Sequence, residues 1–164
     1  MKKIGVIMGS DSDLPVMRKA IDMLREYGAP FEAHVYSAHR TPDQAAAFAS
    51  GARANGFGVI IAAAGKAAHL AGALAARTTL PVIGVPLSAG DFDGLDALLS
   101  TVQMPSGVPV ATVAVGGAAN AALLALQILS VDEPELAARL DAKRLAMSQS
   151  VLEKDGALQK ELDI

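Results

Sequence analysis

The fold is decided at the stretch Ser37-Ala38-His39-Arg40-Thr41-Pro42, which ends one apolar strand and begins a helix. Histidine changes charge near neutral pH and is the commonest proton-transfer residue in enzymes. The arginine beside it offers a permanently charged fork that fits phosphate or carboxylate. Threonine followed by proline is typical of a helix start, because the hydroxyl can cap the helix and the proline needs no N–H partner. Taken alone, the hexapeptide predicts either a capped polar loop or a functional site.

Five short apolar runs alternate with five helical patterns on either side of this stretch. That alternation predicts an α/β fold, namely a flavodoxin-like, doubly wound, five-stranded parallel sheet in a three-layer α/β/α arrangement. The predicted strands are 3–8, 31–35, 59–64, 81–85 and 108–115. The predicted helices run from 14 to the glycine at 28, from 42 towards 55, from 70 to about 79, from the end of a polar loop at 88–94 to about 102, and from 118 to 129.

Ligands of doubly wound sheets bind beyond the carboxyl ends of the strands, where the winding reverses. In the flavodoxin-like order, strands one and three flank that crevice and strand two lies beside strand one. The loops that follow strands one, two and three are GSDSD at 9–13, SAHRTP at 37–42 and GKAAHL at 65–70. We therefore expect these three loops to share one site.

The bulk composition indicates one domain spanning residues 1–164. A net charge of −3 and an aromatic content of 4% argue against a nucleic-acid surface. The chain has no cysteine, which excludes disulfides and thiolate metal sites. The apolar run after Met1 is too short for a signal peptide, and no apolar stretch approaches membrane-spanning length. We expect a soluble, cytoplasmic protein without membrane or nucleic-acid partners.

The last part of the chain, 133–162, predicts a long C-terminal helix that follows a core of about 1–130. Its apolar residues recur at steps of four and seven, an eleven-residue repeat. The helix would be roughly 45 Å long, whereas a globule of this size is only about 40 Å across. We therefore expect part of the apolar stripe to pack on another copy in a homo-oligomer; the alternative is a frayed tail broken at Asp155-Gly156. The stripe residues are Leu136, Leu140, Met147, Val151, Leu158 and Leu162.

The GSDSD loop combines a helix amino terminus with serine hydroxyls, which suits phosphate. Asp13 would accept hydrogen bonds from sugar hydroxyls, so the loop indicates a ribose phosphate; an ordinary capped helix start is the alternative. In GKAAH, small residues would let a ligand approach the backbone and Lys66 could contact an anion. The alternative there is a surface lysine and a structural histidine. His34 lies mid-strand and is interpreted as structural.

The chain resembles the N5-carboxyaminoimidazole ribonucleotide mutases of purine biosynthesis. The resemblance depends on MGSDSD at 8–13, SAHRTP at 37–42, AAHL at 67–70, LPVIGVP at 80–86, QMPSGVPV at 103–110 and NAALLALQIL at 120–129. It implies a carboxyl transfer from the exocyclic nitrogen of an aminoimidazole ribonucleotide to a ring carbon, without metal, ATP or another cofactor. It also implies octamers in which the carboxy-terminal helix reaches a neighbour.

Carried over by position, the resemblance makes His39 the proton carrier. Ser10, Asp13 and Arg40 would hold the ribose phosphate, with Ser12 nearby. The base and carboxylate would be walled by residues of the second and third loops. The complete expected substrate-binding set is Gly9, Ser10, Ser12, Asp13, Ser37, Ala38, Arg40, Gly65, Lys66, His69 and Leu70. The histidines are not spaced as a metal site, and we expect no metal.

Two alternatives to the mutase are considered. Where the bacterial mutases usually read GGAAHLPG, this chain reads GKAAHLAG, with Lys66 and Ala71 substituted. A related class carboxylates aminoimidazole ribonucleotide directly with CO2 and tends to read AHKG or AHKT and GRSN, with an arginine where this chain has Lys66. AHRTP and AAHL favour the mutase. The second alternative is a non-catalytic, flavodoxin-like phosphate-binding module.

Overall fold

The computed structural model describes residues 1–90 and 92–164, so Asp91 of the predicted loop at 88–94 lies outside the described residues. These residues form two compact units, 1–129 and 130–164. The strands are β1 (Lys3–Met8), β2 (Phe31–Val35), β3 (Phe57–Gly65), β4 (Val82–Leu87) and β5 (Ala111–Thr112). The helices are α1 (Leu14–Glu26), α2 (Pro42–Gly51), α3 (Leu70–Ala75), α4 (Leu95–Val102), α5 (Ala118–Ser130) and α6 (Pro134–Glu161).

The sheet has the strand order β2-β1-β3-β4-β5, and every neighbouring pair is parallel. Each parallel connection needs a crossover, and the helices between successive strands supply it. The winding reverses between β1 and β3, which are neighbours although β2 comes between them in the chain. This topology confirms the flavodoxin-like prediction.

Two elements are shorter than the sequence pattern predicts. The strand expected at 108–115 is reduced to Ala111–Thr112. Pro109 has no N–H for the ladder, which excludes the first expected residues, and beyond Thr112 the Val113 N–H still donates to the Gly84 carbonyl at 3.1 Å. The helix expected to reach 79 ends at Ala75, and the Thr78 hydroxyl then accepts a hydrogen bond from the Leu80 N–H. Local turn chemistry overrides the apolar pattern at both places.

The core lies on the central strands, where β4 is buried along its whole length. Small residues bring the layers close together. A Cβ added to Gly84 would lie 2.4 Å from Thr101 Cγ2, and one added to Gly5 would lie 2.8 Å from Phe48 Cζ. Such contacts are closer than any real Cβ makes, so glycine at these positions is required for helices to pack directly on the sheet.

The second unit is mainly α6, which has 28 residues and runs through Asp155-Gly156 without a break. It would be about 42 Å long. Met147, Val151, Leu158 and Leu162 of the predicted stripe are exposed, as is Leu145 at 73%. Within the described residues, none of the helices has both the length and the apolar character needed to span a membrane.

Candidate active site

One pocket of about 580 Å³ lies where the loops after β1, β2 and β3 meet. All twelve residues expected at the site line it: Gly9, Ser10, Ser12, Asp13, Ser37, Ala38, His39, Arg40, Gly65, Lys66, His69 and Leu70. The pocket has the size of a typical small-molecule site. The structure therefore brings together residues that are up to 61 positions apart in the chain, from Gly9 to Leu70.

The loop after β1 is shaped by a capping box. Asp13 occupies the N-cap of α1, but its side chain makes no capping hydrogen bond there. Ser10 instead caps the 3-10 turn Asp11–Asp13, and its N–H donates to Asp13 Oδ2 at 3.0 Å. The Ser12 hydroxyl donates to Ser10 Oγ at 2.8 Å. These bonds hold both serine hydroxyls and the carboxylate in one rigid turn on the pocket wall.

Among residues 1–90 and 92–164, Asp13 is the one carboxylate that lines the pocket, and its environment disfavours its charge. Burial raises the pKa of Asp13 above the usual 3.8, and the negative charge of Asp11 adds to this effect. Hydrogen bonds from the Ser10 and Gly9 backbone act in the opposite direction but do not outweigh burial. The native state therefore binds the Asp13 proton more tightly than the unfolded chain does.

Replacing Asp13 by asparagine should consequently change how stability depends on pH. Because the folded-state pKa is raised, ionisation of Asp13 costs stability as the pH rises through that value. Asp13→Asn keeps an oxygen for the Ser10 N–H but cannot ionise. We expect its stability, relative to the natural chain, to increase from about pH 4 to about pH 7. Denaturant unfolding at both pH values measures this, with Asp22→Asn at an exposed carboxylate as control; a pH-independent difference would contradict it.

The turn that carries His39 is closed by Thr41, although not in the expected way. Thr41 occupies the N-cap of α2 without capping it through its side chain. Its Oγ1 accepts from the Ser37 N–H at 2.8 Å and lies 3.2 Å from the Ser37 carbonyl. Ser37 Oγ in turn accepts from the backbone N–H groups of His39 and Arg40, at 3.3 and 3.2 Å. Ser37 and Thr41 thus lock the backbone while the His39 side chain stays exposed in the pocket.

Arg40 joins the second loop to the first. Its Nη2 donates to the Gly9 carbonyl at 3.1 Å. In residues 1–90 and 92–164, no carboxylate is shown within ion-pair distance of Arg40. A guanidinium has five N–H donors, so most of them remain available to an anionic ligand at this wall.

The loop after β3 approaches the loop after β4 very closely. A Cβ on Gly65 would lie 2.6 Å from the Ala89 Cβ. The next residue, Lys66, has a φ of +56°. A left-handed backbone costs a lysine about 1–2 kcal/mol. The Lys66 carbonyl accepts from the Ala68 N–H at 2.7 Å, which holds the turn.

The His69 ring packs directly against the backbone of Gly72, which has no side chain. A Cβ on Gly72 would lie 2.5 Å from His69 Cε1 and 3.0 Å from Met104 Sδ. The imidazole therefore occupies the space that any larger residue at 72 would take. The backbone of this loop is supported from below by the buried Thr101, whose hydroxyl lies 3.2 Å from the Ala68 carbonyl and 2.7 Å from that of Ala97.

We expect Gly72→Ala to displace the His69 ring and to lower kcat/KM by roughly 10–100-fold, since small misplacements of active-site groups have effects of that order. The fold should persist, because the contact is with a movable side chain. Steady-state kinetics together with circular dichroism measure both. Gly51→Ala is the matched control, since its Cβ would meet only Asn55 Nδ2, at 3.2 Å. A Gly72→Ala protein with natural kinetics would show that the ring position is unimportant.

Three further pocket residues were not expected: Ala64, Ala67 and Ala89. The first two flank expected residues in the third loop. Ala89 belongs to the loop after β4, which reaches the pocket because β4 neighbours β3. The strand order predicted from the sequence could have indicated this fourth loop.

The remaining histidine, His34, lies outside the pocket and stacks on Tyr36 with ring centroids 4.9 Å apart. Its Nε2 lies 3.7 Å from Glu32 Oε2. The pKa of Glu32 is lowered, chiefly by the hydrogen bond from Lys3. Among residues 1–90 and 92–164, no group of three histidine or acidic side chains could hold a metal ion.

A crevice at the carboxyl ends of parallel strands, lined by two histidines, an arginine and a lysine, defines an α/β protein with a site for a small anionic ligand. The family model described as AIR carboxylase matches residues 3–150. The chain therefore belongs to the AIR carboxylase family.

Individual relatives agree with this assignment. The N5-carboxyaminoimidazole ribonucleotide mutase of Mycobacterium tuberculosis is 55% identical over 158 residues, which cover 96% of this chain and 91% of that protein. A Vigna aconitifolia protein named phosphoribosylaminoimidazole carboxylase, chloroplastic, is 52% identical over 157 residues, or 96% of this chain and 28% of that longer protein. The crystal structure of Treponema denticola PurE has a TM-score of 0.88 at 28% identity and covers 96% of this chain and 98% of its own.

Proposed function

We propose that this chain converts N5-carboxyaminoimidazole ribonucleotide into 4-carboxy-5-aminoimidazole ribonucleotide, an isomerisation in purine biosynthesis. The observation that carries the proposal is the 55% identity to a mutase over nearly the whole chain. The pocket supports it, because His39, Arg40 and Lys66 line a single space large enough for a mononucleotide. The reaction is a net carboxyl transfer and consumes no ATP, metal or other cofactor.

His39 is the proton carrier of this mechanism. As the bond between the exocyclic nitrogen and the carboxyl carbon breaks, CO2 leaves and the nitrogen takes a proton from the imidazolium. The ring carbon then attacks CO2, and its proton returns to the imidazole as the ring regains aromaticity. One residue both gives and takes the proton, so the cycle closes without a net change. CO2 must stay in place between the two steps, and the small side chains of Ala38 and Ala64 leave room for it.

The nucleotide is bound by residues of all three loops. Ser10, Ser12 and Arg40 bind the phosphate, and Asp13 accepts from the ribose hydroxyls. The support for this arrangement is that the first two loops are joined through Arg40 and Gly9. Ser37, Gly65, His69 and Leu70 wall the base.

Direct carboxylation of aminoimidazole ribonucleotide is the second candidate. Lys66 favours it, since the direct carboxylases carry arginine there, and so does the 52% identity to a protein named as a carboxylase. Supplying purified protein with the carboxyamino nucleotide, and separately with aminoimidazole ribonucleotide and bicarbonate, distinguishes the two. Turnover of the first without ATP supports the mutase. Activity only with aminoimidazole ribonucleotide and bicarbonate would show that the chain is a direct carboxylase instead. Binding without any turnover would indicate a phosphate-binding module.

The chain also assembles, in this proposal, as a cytoplasmic homo-octamer of single-domain subunits, with a core of about 1–130 and an oligomerisation helix of about 133–162. The exposed apolar residues of α6 support this, since such stripes mark interaction surfaces. We expect light scattering to give a mass of eight times 16.7 kDa, about 134 kDa. Val151→Lys should give smaller species, while Gln149→Lys, at an exposed polar position of the same helix, should not. A monodisperse monomer would contradict the oligomer.

A further inference from the structure

Lys66 is a cation that the fold holds at the pocket wall at an energetic cost. Its backbone is left-handed, which a lysine adopts only where the surroundings impose it. The residue lines the pocket and is exposed. Across residues 1–90 and 92–164, the structure shows no carboxylate within 4.0 Å of its ammonium group. Backbone strain of this kind is concentrated at active sites and ligand-binding sites, so we infer that Lys66 contacts a ligand.

The position of Lys66 complements that of Arg40. Arg40 follows β2 and is bonded to the loop after β1, whereas Lys66 follows β3. In the sheet, β1 lies between β2 and β3, so the strands that deliver the two cations are roughly 10 Å apart. The Lys66 stem packs along the loop after β4, since its Cε would lie 3.6 Å from a Cβ on Gly90. Arg40 and Lys66 thus line one pocket from two different loops.

The substrate of the proposed reaction has two anionic groups, a phosphate on the ribose and a carboxylate on the base. Arg40 and the serines account for the phosphate. On the basis of the proposed function, we propose that Lys66 is a specificity-determining residue that binds the carboxylate of the nucleotide. It distinguishes the carboxylated substrate and product from the bare aminoimidazole ribonucleotide formed between them. Glycine at this position could not make this contact.

This role predicts a particular kinetic pattern. Substrate and product both carry the carboxylate. An ammonium group that binds this carboxylate stabilises substrate and product more than the intermediate, in which the carboxylate has left as neutral CO2. Lys66→Met should therefore raise KM without lowering kcat. Charged hydrogen bonds at exposed sites are weakened by water, so we expect a rise of about tenfold.

The direct test measures binding of two ligands, 4-carboxy-5-aminoimidazole ribonucleotide and aminoimidazole ribonucleotide, to the natural chain, Lys66→Met, Lys66→Arg and Lys66→Gly. We expect Lys66→Met to lose about tenfold in affinity for the carboxylated ligand only, and Lys66→Arg to retain the preference. Lys66→Gly should lose the preference and melt at a higher temperature, because glycine accepts the left-handed backbone. Comparing Lys66→Gly with Lys66→Met therefore separates the effect of the lost charge on binding from the effect of backbone strain on stability.

Each other result overturns the inference. If Lys66→Met binds both ligands as the natural chain does, the ammonium does not contact the nucleotide. If it loses affinity for both equally, Lys66 binds a group that the two ligands share. If the natural chain binds neither ligand, the proposed function itself fails, which is a different outcome from a lost preference.

Discussion

His39→Asn is expected to lower turnover by roughly 10²–10⁴-fold while leaving nucleotide binding unchanged, since general acid–base catalysis contributes about that much. Asparagine is polar and similar in size, but it cannot exchange a proton near neutral pH. The loop itself should stay intact, because Ser37 and Thr41 hold its backbone through bonds that do not involve the imidazole. Turnover of the carboxyamino nucleotide and calorimetric binding of the product measure the two quantities separately.

His34→Asn is the matched control for this prediction. His34 stacks on Tyr36 and does not line the pocket, so its loss should leave turnover unchanged. If His39→Asn keeps natural activity, another group must carry the proton. The other histidine that lines the pocket is His69. Loss of binding together with turnover would instead make His39 a ligand of the nucleotide rather than its proton carrier.

Arg40→Ala is expected to raise the dissociation constant of the nucleotide by roughly 10–100-fold, which corresponds to the 1.5–3 kcal/mol typical of a charged hydrogen bond. The variant also loses the bond from Nη2 to the Gly9 carbonyl, which joins the first two loops. Arg40→Lys keeps the charge without the planar fork and should be intermediate. Titration with the nucleotide and with its dephosphorylated nucleoside separates phosphate binding from loop positioning.

If Arg40 binds the phosphate, the nucleoside should bind equally well to the natural chain and to Arg40→Ala. Arg25→Ala removes an arginine that lies outside the pocket and pairs with Asp22 at 3.2 Å, so it should bind both ligands normally. An unchanged affinity of Arg40→Ala for the nucleotide would remove the arginine from the phosphate role. An equal loss for both ligands would make it a residue that positions the loop.

The strands were predictable because each is a short apolar run between turn residues, and β1 and β2 were located at their observed bounds. Strand order followed from chirality and from the number of strands. The boundaries of β5 and α3 were not predictable from apolar content, because Pro109 lies just before β5 and the Thr78 hydroxyl bonds to the backbone just after α3. The cap of α2 was also assigned to the wrong contact, since the Thr41 hydroxyl bonds to Ser37 instead.

Strand order was enough to predict that the three loops share one site, since the carboxyl ends of adjacent parallel strands must lie at one edge of a sheet. The twelve individual residues came from the resemblance to the mutase family, and all of them line the pocket. What depends on tertiary structure is the contact between loops that are distant in the chain. Ala89 reaches the pocket, Gly72 makes room for the His69 ring, and Arg40 bonds to Gly9.

The amino-acid sequence by itself therefore determined the α/β topology, the three loops and the residue types in them, because periodicity and turn chemistry are local properties. Tertiary structure alone decided the left-handed backbone of Lys66 and the hydrogen bond from Arg40 to the Gly9 carbonyl. A backbone angle depends on what surrounds it, and a hydrogen bond between two loops depends on the sheet that brings them together. Neither can be read from neighbours in the chain.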